Sequence, residues 1–376
     1  MIIEFAPMEG ITGYVFRRAH VALFSGVAEY YLPFIATHAT RTLKTKERED
    51  VSPACNAGLS AVPQLLSKNA DDFLWYAEEL RNMGYRKVNL NLGCPSPTVT
   101  AKGKGAALLG DPEALKRFLD AVFSREPDIK ITVKTRLGIE DPREIYELLH
   151  IYNSFPLDEL IVHGRTLAEA YRGGGHPELL PEILGLCKCP LSYNGNIFFP
   201  EDAERLKELR PGLDRIMIGR GLVRNPALAR EILGASQGKQ NTDEPVSAKN
   251  AAGGPTDAAG SLICRKENSG DLSLTNAALE RFLNEVYQGY RKTLPGPVPV
   301  LGRMKELWYY TEDLFETPEP GTEAFRALRS LKKARAFPAY EAAQAAFFAF
   351  PPPRKTGRTR WQVSGHTVTR NEGVLQ

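Results

Sequence analysis

A cysteine between a glycine and a proline is the first residue with a chemical reading. Gly93-Cys94-Pro95 follows the apolar run Lys87–Leu92, so Cys94 stands on the turn by which the chain leaves a predicted strand. A thiol there can act as a proton donor or as a nucleophile. No histidine stands beside it in sequence to activate it as a nucleophile. The bland alternative is a small buried hydrophobe. Other polar residues close other apolar runs: Pro7-Met8-Glu9, Gln64, Asn91, Lys134-Thr135-Arg136, His163-Gly164-Arg165, Asn194-Gly195-Asn196 and Gly219-Arg220-Gly221.

The types of these residues point to a ligand. Gln64, Lys134 and His163 can grip a flat ring bearing carbonyls, and Lys134 can stabilise negative charge that develops on it. Gly195 and the glycines at 219 and 221 let backbone N–H groups approach a phosphate. Together these describe a flavin mononucleotide (FMN) site better than a sugar or carboxylate site. The six histidines include no His-Glu-x-x-His pair, and no acidic triad is visible, so no metal is expected.

Such a set needs elements that bring it to one place. Strands are predicted at Ile2–Met8, Ala28–Ile35, Ala61–Leu66, Lys87–Leu92, Ile129–Thr135, Glu159–His163, Leu191–Asn194 and Arg215–Ile218. Several are apolar on both faces, as buried parallel strands are. Helix starts separate them: Asn69, Asp111-Pro112, Asp141-Pro142, Pro200 and Asn225-Pro226. Eight strands alternating with helices predict a (β/α)₈ barrel over residues 1–233, whose active site lies at the carboxyl ends of the strands. All the residues named above fall at those ends. No G-x-G-x-x-G turn supports the doubly wound alternative.

Residues 234–275 are small, polar and aperiodic, which reads as a linker or insertion, with Cys264 inside it. Helical stripes return at 276–350: Leu279, Phe282, Leu283, Val286 and Tyr290, then Leu301, Met304, Leu307, Trp308 and Leu314, then Phe325, Leu328 and Leu331. They predict a small helical bundle. Residues 351–376 are basic, without a packing period, and read as a mobile tail.

Net charge is only +3 over 376 residues, but Arg326, Arg329, Lys332, Lys333 and Arg335 cluster in the bundle. Clustering of this kind fits a polyanion partner as well as a solvated face. Five cysteines without framework spacing argue against disulfides and for a reducing compartment. Cys187 and Cys189 read as structural. Neither a signal sequence nor a membrane-spanning run is visible, so a cytoplasmic protein is expected.

The motifs in order resemble the tRNA-dihydrouridine synthase family. They are Ala6-Pro7-Met8-Glu9-Gly10-Ile11-Thr12 with Phe16-Arg17, then Asn91-Leu92-Gly93-Cys94-Pro95 with Lys104-Gly105-Ala106-Ala107-Leu108-Leu109, then Val133–Arg136, Val162–Thr166, Asn194–Asn196 and Ile218–Gly221. The resemblance implies FMN held by Pro7, Met8, Glu9, Gln64, Lys134, His163, Asn194, Gly195, Asn196, Gly219 and Arg220. It implies NADPH as reductant, Cys94 as the proton donor, and Asn91, Arg136, His163 and Arg165 around the uracil of a tRNA; a monomer is expected. An FMN-dependent dehydrogenase of free pyrimidines and an RNA-binding protein with an inactive barrel are the rival readings. The segment at 234–275 and the tail depart from the family pattern.

Overall fold

The computed structural model describes residues 1–238, 272–357 and 359. Residues 239–271, which hold most of the expected linker and Cys264, lie outside the described residues.

Every barrel strand runs parallel to its neighbours. The first strand, Ile2–Phe5, pairs with both the second, Glu29–Tyr31, and the eighth, Arg215–Ile218, so the sheet closes on itself. The fourth, sixth, seventh and eighth strands have the predicted bounds, Lys87–Leu92, Glu159–His163, Leu191–Asn194 and Arg215–Ile218. The fifth, Lys130–Arg136, is shifted by one residue. The first stops three residues short of Met8, because Met8 turns back: its N–H donates to Thr12 Oγ1 and its carbonyl accepts from Ile11 and Thr12.

The second and third strands are broken. Pro63 divides the third into Ala61–Val62 and Gln64–Leu66, and a second short piece, Ile35–Ala36, pairs with the latter half. Proline has no N–H for the ladder. Its carbonyl still accepts from Asn89 N at 2.9 Å, so the third strand stays registered on the fourth.

The helix signals hold locally. Asn69 caps Ala70–Asn82 by accepting from Asp72 N, and Asp111 caps Pro112–Phe123 by accepting from Ala114 N. Asp141-Pro142 opens a 3₁₀ turn first, and the α-helix Ile145–Tyr152 follows it. After Asn225-Pro226 the helix begins at Leu228, Asn225 Oδ1 holding Ala227 N, and runs to Gly238. The chain from 234 to 238 is therefore helical rather than linker. On the far side Thr275 caps Asn276–Thr293, and Leu274 N donates to Glu231 Oε1.

The four long helices of the rear domain are Asn276–Thr293, Pro297–Thr311, Glu323–Lys333 and Phe337–Ala349. The first packs on the barrel helix Tyr14–Leu23, with the Phe16 and Phe282 rings edge to face at 5.3 Å. The second reaches the mouth, where Arg303 Nη1 donates to Gly10 O at 2.5 Å. Gly10 has φ +82° and lies so close to that guanidinium that an added Cβ would sit 2.8 Å from it. A buried ion pair, Arg224–Asp313 at 3.0 Å, joins the barrel to the turn after this helix. Tyr287, not Tyr290, completes the first buried stripe, and Ala324 and Ala327 replace Phe325 and Leu328 in the third.

The start of the expected tail is pinned. Lys355 N donates to Leu314 O, Glu316 N to Pro353 O, and the Arg354 guanidinium lies 4.5 Å from the Phe315 ring centre. Apart from Thr359, the residues from 358 onward lie outside the described ones. Among the described residues, no helix is long and apolar enough to cross a membrane.

Candidate active site

Cys94 stands at the mouth on a turn held from three sides. Asn91 Oδ1 accepts from both Gly93 N and Cys94 N at 3.0 Å. Arg136 Nε donates to Gly93 O at 2.7 Å. Cys94 O accepts from Ala106 N at 3.1 Å. Gly105 allows that last bond: its φ is +62°, and a Cβ there would lie 2.9 Å from Cys94 O. Burial pushes the Cys94 thiol above its ordinary range, and the backbone at Ser96 and the cations Arg136 and Lys134 oppose the shift. The thiol therefore carries its proton at neutral pH, as an acid must and a thiolate nucleophile does not.

Inside the barrel, Asn91 Nδ2 donates to Gln64 Oε1, Gln64 Nε2 to Asn89 Oδ1, and Asn89 Nδ2 to Thr132 Oγ1, each at 2.7–2.8 Å. This rail of amides crosses the third, fourth and fifth strands and fixes which way the Asn91 amide faces. Cys94 is thus positioned by the strands themselves.

Lys134, His163, Arg136, Arg165 and Arg220 converge beside it. Burial, aided by Arg136, brings the Lys134 ammonium down to a pKa of about 7. Its Nζ has no hydrogen-bond partner among the described residues. His163 is held well below its ordinary range by burial and then by Arg136, Lys134, Arg165 and Arg220. It is neutral, and its Nε2 lies 3.2 Å from Arg165 Nη1. Arg220 comes down to about 10, chiefly through burial and then Arg165. Among the described residues Lys134, Arg136 and Arg165 form no ion pair with a carboxylate. Buried positive charge in this excess calls for an anion.

The phosphate end of such an anion has a place. Asn194 Nδ2 donates to Met217 O at 2.8 Å, tying the seventh strand end to the eighth. Arg220 Nη2 donates to Asn196 Oδ1 at 2.9 Å, closing the two glycine-bearing turns on each other. A Cβ on Gly195 would strike the Tyr193 ring at 2.6 Å, and one on Gly219 would fill the gap to Ala6 and Met8. The residues present fit FMN: a free ammonium for the ring, and an arginine with two glycine turns for the phosphate. Met8 lies beside Gly219 at this end; Pro7 and Met8 are half-buried, whereas Glu9 is exposed at the rim, 4.0 Å from Lys46.

Two residues expected around a uracil have structural bonds as well. Arg136 Nη1 donates to Thr166 O and Ala170 O, and Arg165 donates to Arg172 O and Gly173 O. Together they hold the loop after the sixth strand. That loop carries Tyr171, which the sequence reading did not single out. The residue is 59% exposed, with the Arg136 and Arg220 guanidinium carbons 5.5 and 5.6 Å from its ring centre. The available signal was an aromatic side chain followed by Arg172-Gly173-Gly174-Gly175, six residues past a strand-end arginine.

No three metal-capable side chains gather at the mouth among the described residues. One such group lies at the opposite end, where carboxylate oxygens of Glu4, Glu29 and Glu159 come within 4.8 Å of one another. Arg215 and Lys87 already neutralise it.

Comparison with known proteins bears on this site. The sequence model of the family "Dihydrouridine synthase (Dus)" matches residues 4–259. A tRNA-dihydrouridine(16) synthase of Neisseria meningitidis serogroup B is 33% identical over 237 residues, 61% of this chain and 70% of that protein. One from Pseudomonas syringae pv. tomato is 32% identical over 252 residues, 64% of this chain and 77% of that protein. Among solved structures, morphinone reductase superposes on 62% of this chain and 85% of its own, at 15% identity and a TM-score of 0.45.

Proposed function

Because the chain belongs to the dihydrouridine synthase family, we propose that it reduces the C5–C6 double bond of a uridine in tRNA, with position 16 as the target and Cys94 as the proton donor. The observation that carries this is the protonated Cys94 thiol on a turn fixed by Asn91 and Arg136, beside a cationic pocket. The number in the relatives' names supports position 16.

When bound, FMN would supply the hydride for C6 and NADPH the electrons that recharge it, and the protein supplies orientation and one acid. Lys134, with Gln64 and His163 beside it, holds the ring, and Gly195, Asn196, Gly219 and Arg220 hold the phosphate. Cys94 gives its proton to C5. The thiolate left behind lies in the field of Arg136 and Lys134, whose charges lower its energy relative to the thiol. Neutral His163 can accept or donate at a uracil carbonyl or N–H without adding charge. The exposed Tyr171 ring offers a stacking face to a base that has left its stack.

The rear domain favours RNA over free pyrimidine. Arg329, Lys333 and Arg335 line a groove floored by Ala327, Ala334 and Ala343. Among the described residues none of those three cations forms an ion pair, and Glu323, which also lines the groove, is paired with Arg326. A phosphate backbone would neutralise them, so binding should weaken steeply with salt.

Incubating the purified protein with NADPH and unmodified tRNA, then analysing nucleosides by mass spectrometry, tests the proposal. A gain of two hydrogens on uridine, mapped by fragmentation to position 16, supports it. A gain elsewhere in the tRNA keeps the reaction and removes the position. Reduction of free uracil with none in tRNA overturns it in favour of a pyrimidine dehydrogenase.

A further inference from the structure

The floor of the barrel holds a feature that the reduction of uridine does not use. Cys187 and Cys189 flank Lys188 on the turn between the helix Leu180–Leu186 and the seventh strand. Both are half-buried, and their sulfurs are 3.6 Å apart. The Cys187 thiol also faces Cys189 O at 3.4 Å. Anchors on either side hold the pair together. Cys187 N donates to Ile183 O at 2.9 Å and ends the helix. Asn153 clasps the turn, its Nδ2 donating to Leu186 O and its Oδ1 accepting from Lys188 N, both at 2.8 Å. Beyond Cys189, Pro190 O accepts from Leu160 N at 2.9 Å and joins the turn to the sheet.

We infer that Cys187 and Cys189 form a reversible dithiol–disulfide site, closed by a small-molecule disulfide such as oxidised glutathione and reopened by a thiol reductant. Closure needs the two sulfurs to approach by side-chain rotation, and the clasped turn already presents them to each other. Whichever thiol donates across the 3.6 Å contact favours the thiolate of the other, which becomes the attacking sulfur; the steps open to a Cys187 thiolate run the same way from Cys189. That thiolate displaces one glutathione from the oxidant and forms a mixed disulfide. Cys189 then gives its proton to solvent, and its sulfur attacks the Cys187 sulfur. The mixed S–S bond breaks and the second glutathione leaves. Two protein thiols are oxidised and one glutathione disulfide is reduced to two thiols. In a reducing compartment the open form is the resting one. Cys94, at the other end of the barrel and with its thiol kept protonated, reacts more slowly by the same rule.

Thiol chemistry read by mass is the test, and it does not depend on the uridine reaction. The full-length protein is equilibrated with oxidised glutathione, quenched with iodoacetamide and cleaved at glutamate, so that both cysteines stay in one peptide. The inference expects that peptide to lose two hydrogens, to take up no iodoacetamide, and to recover two reactive thiols after dithiothreitol. The Cys187→Ser protein should carry one glutathione on Cys189 or none, and lose no hydrogens. Two separate glutathione adducts on the wild-type peptide would overturn the inference. So would two alkylated thiols under oxidant that has already modified Cys55.

Discussion

The two ends of the barrel both bury like charges, and they handle them in opposite ways. At the floor, Glu4 and Glu159 are fully buried and face each other, with Glu29 beside them. Arg215 Nη1 lies 3.5 Å from Glu4 and 3.4 Å from Glu159, Lys87 pairs with Glu29 at 2.8 Å, and Tyr31 donates to Glu159 at 2.9 Å. Burial and the neighbouring Glu159 raise Glu4 well above the usual carboxylate range, so it keeps a proton. The floor is balanced within itself. At the mouth, Lys134, Arg136 and Arg165 meet no carboxylate partner among the described residues, and the neutral form of His163 removes only one charge. A balanced cluster needs nothing from outside, whereas an unbalanced one is unstable until an anion arrives. The difference separates architecture from ligand site more sharply than the presence of charge does.

The sharpest way to break this reading is to change the chemistry at the mouth and leave its charge alone. Cys94→Ala should lower dihydrouridine formation by roughly 10²–10⁴-fold, the usual worth of a positioned acid. Flavin content, read from its visible absorbance, should be unchanged, since Cys94 contributes a proton and no grip. Loss of flavin along with turnover would move Cys94 from the chemistry into the scaffold.

Removing a mouth cation should divide binding from stability. Lys134→Met should weaken FMN binding about 10–100-fold, the range of one charge-assisted hydrogen bond. The flavin-free variant should nonetheless melt higher than the flavin-free wild type, because a buried unpaired charge is gone. The pH dependence has a definite sign. In the fold Lys134 titrates at about 7, against roughly 10.4 for an ordinary lysine. The unfolded chain holds that proton more tightly, so this residue makes flavin-free stability rise with pH from about 7 toward 10. Denaturant melts of wild type and variant across that window should show the slope in the wild type alone, and equal slopes would remove Lys134 as its source.

At the floor the same operation should have the opposite sign. Arg215→Met leaves Glu4 and Glu159 without their shared cation, and losing one partner of a buried pair costs about 3 kcal/mol. Flavin affinity should not move. A floor variant that melts at the wild-type temperature would mean that the carboxylates are reached by water after all.

How much of this was legible follows from where each interaction lies in sequence. Strands such as Glu159–His163, with Leu160-Ile161-Val162 inside it, and Leu191–Asn194, with Leu191 and Tyr193, are short and β-forming, and their ends coincide with the predicted ones. The polar residues at those ends were legible for the same reason, since a strand end in a barrel is a place in space. The bonds of Arg136 and Arg165 were not. They depend on carbonyls of an irregular loop whose path no period encodes, and Tyr171 stayed hidden with that loop. Pro63 was visible, but its effect on a strand that keeps its register through the Pro63 carbonyl was not. The floor left a trace that went unread: Glu4 interrupts Ile2-Ile3-Glu4-Phe5, and a carboxylate inside a buried strand must find a partner or a proton.

That trace leads to the smallest expected effect and the finest test of the comparison. If Glu4 already carries a proton, Glu4→Gln replaces a neutral acid with a neutral amide of nearly the same shape. The amide can donate where the acid would, toward Glu159, the neighbour whose hydrogen bonding to Glu4 favours its protonated form. Below about pH 4, where folded and unfolded chains both hold the Glu4 proton, the change in stability should then stay under about 1 kcal/mol, within the range of one exchanged hydrogen bond. Glu159→Gln differs, because it removes the charge that faces Arg215 and leaves a single acceptor oxygen where Arg215 and Tyr31 now use two, so it should cost more. The pH profile decides between a shared proton and two ionised carboxylates. As pH rises above about 4.3, the ordinary glutamate value, wild type should lose stability relative to Glu4→Gln, since the unfolded chain releases the Glu4 proton freely and the fold retains it. Parallel profiles would mean that Glu4 is ionised, and that the floor carries as much unmatched charge as the mouth.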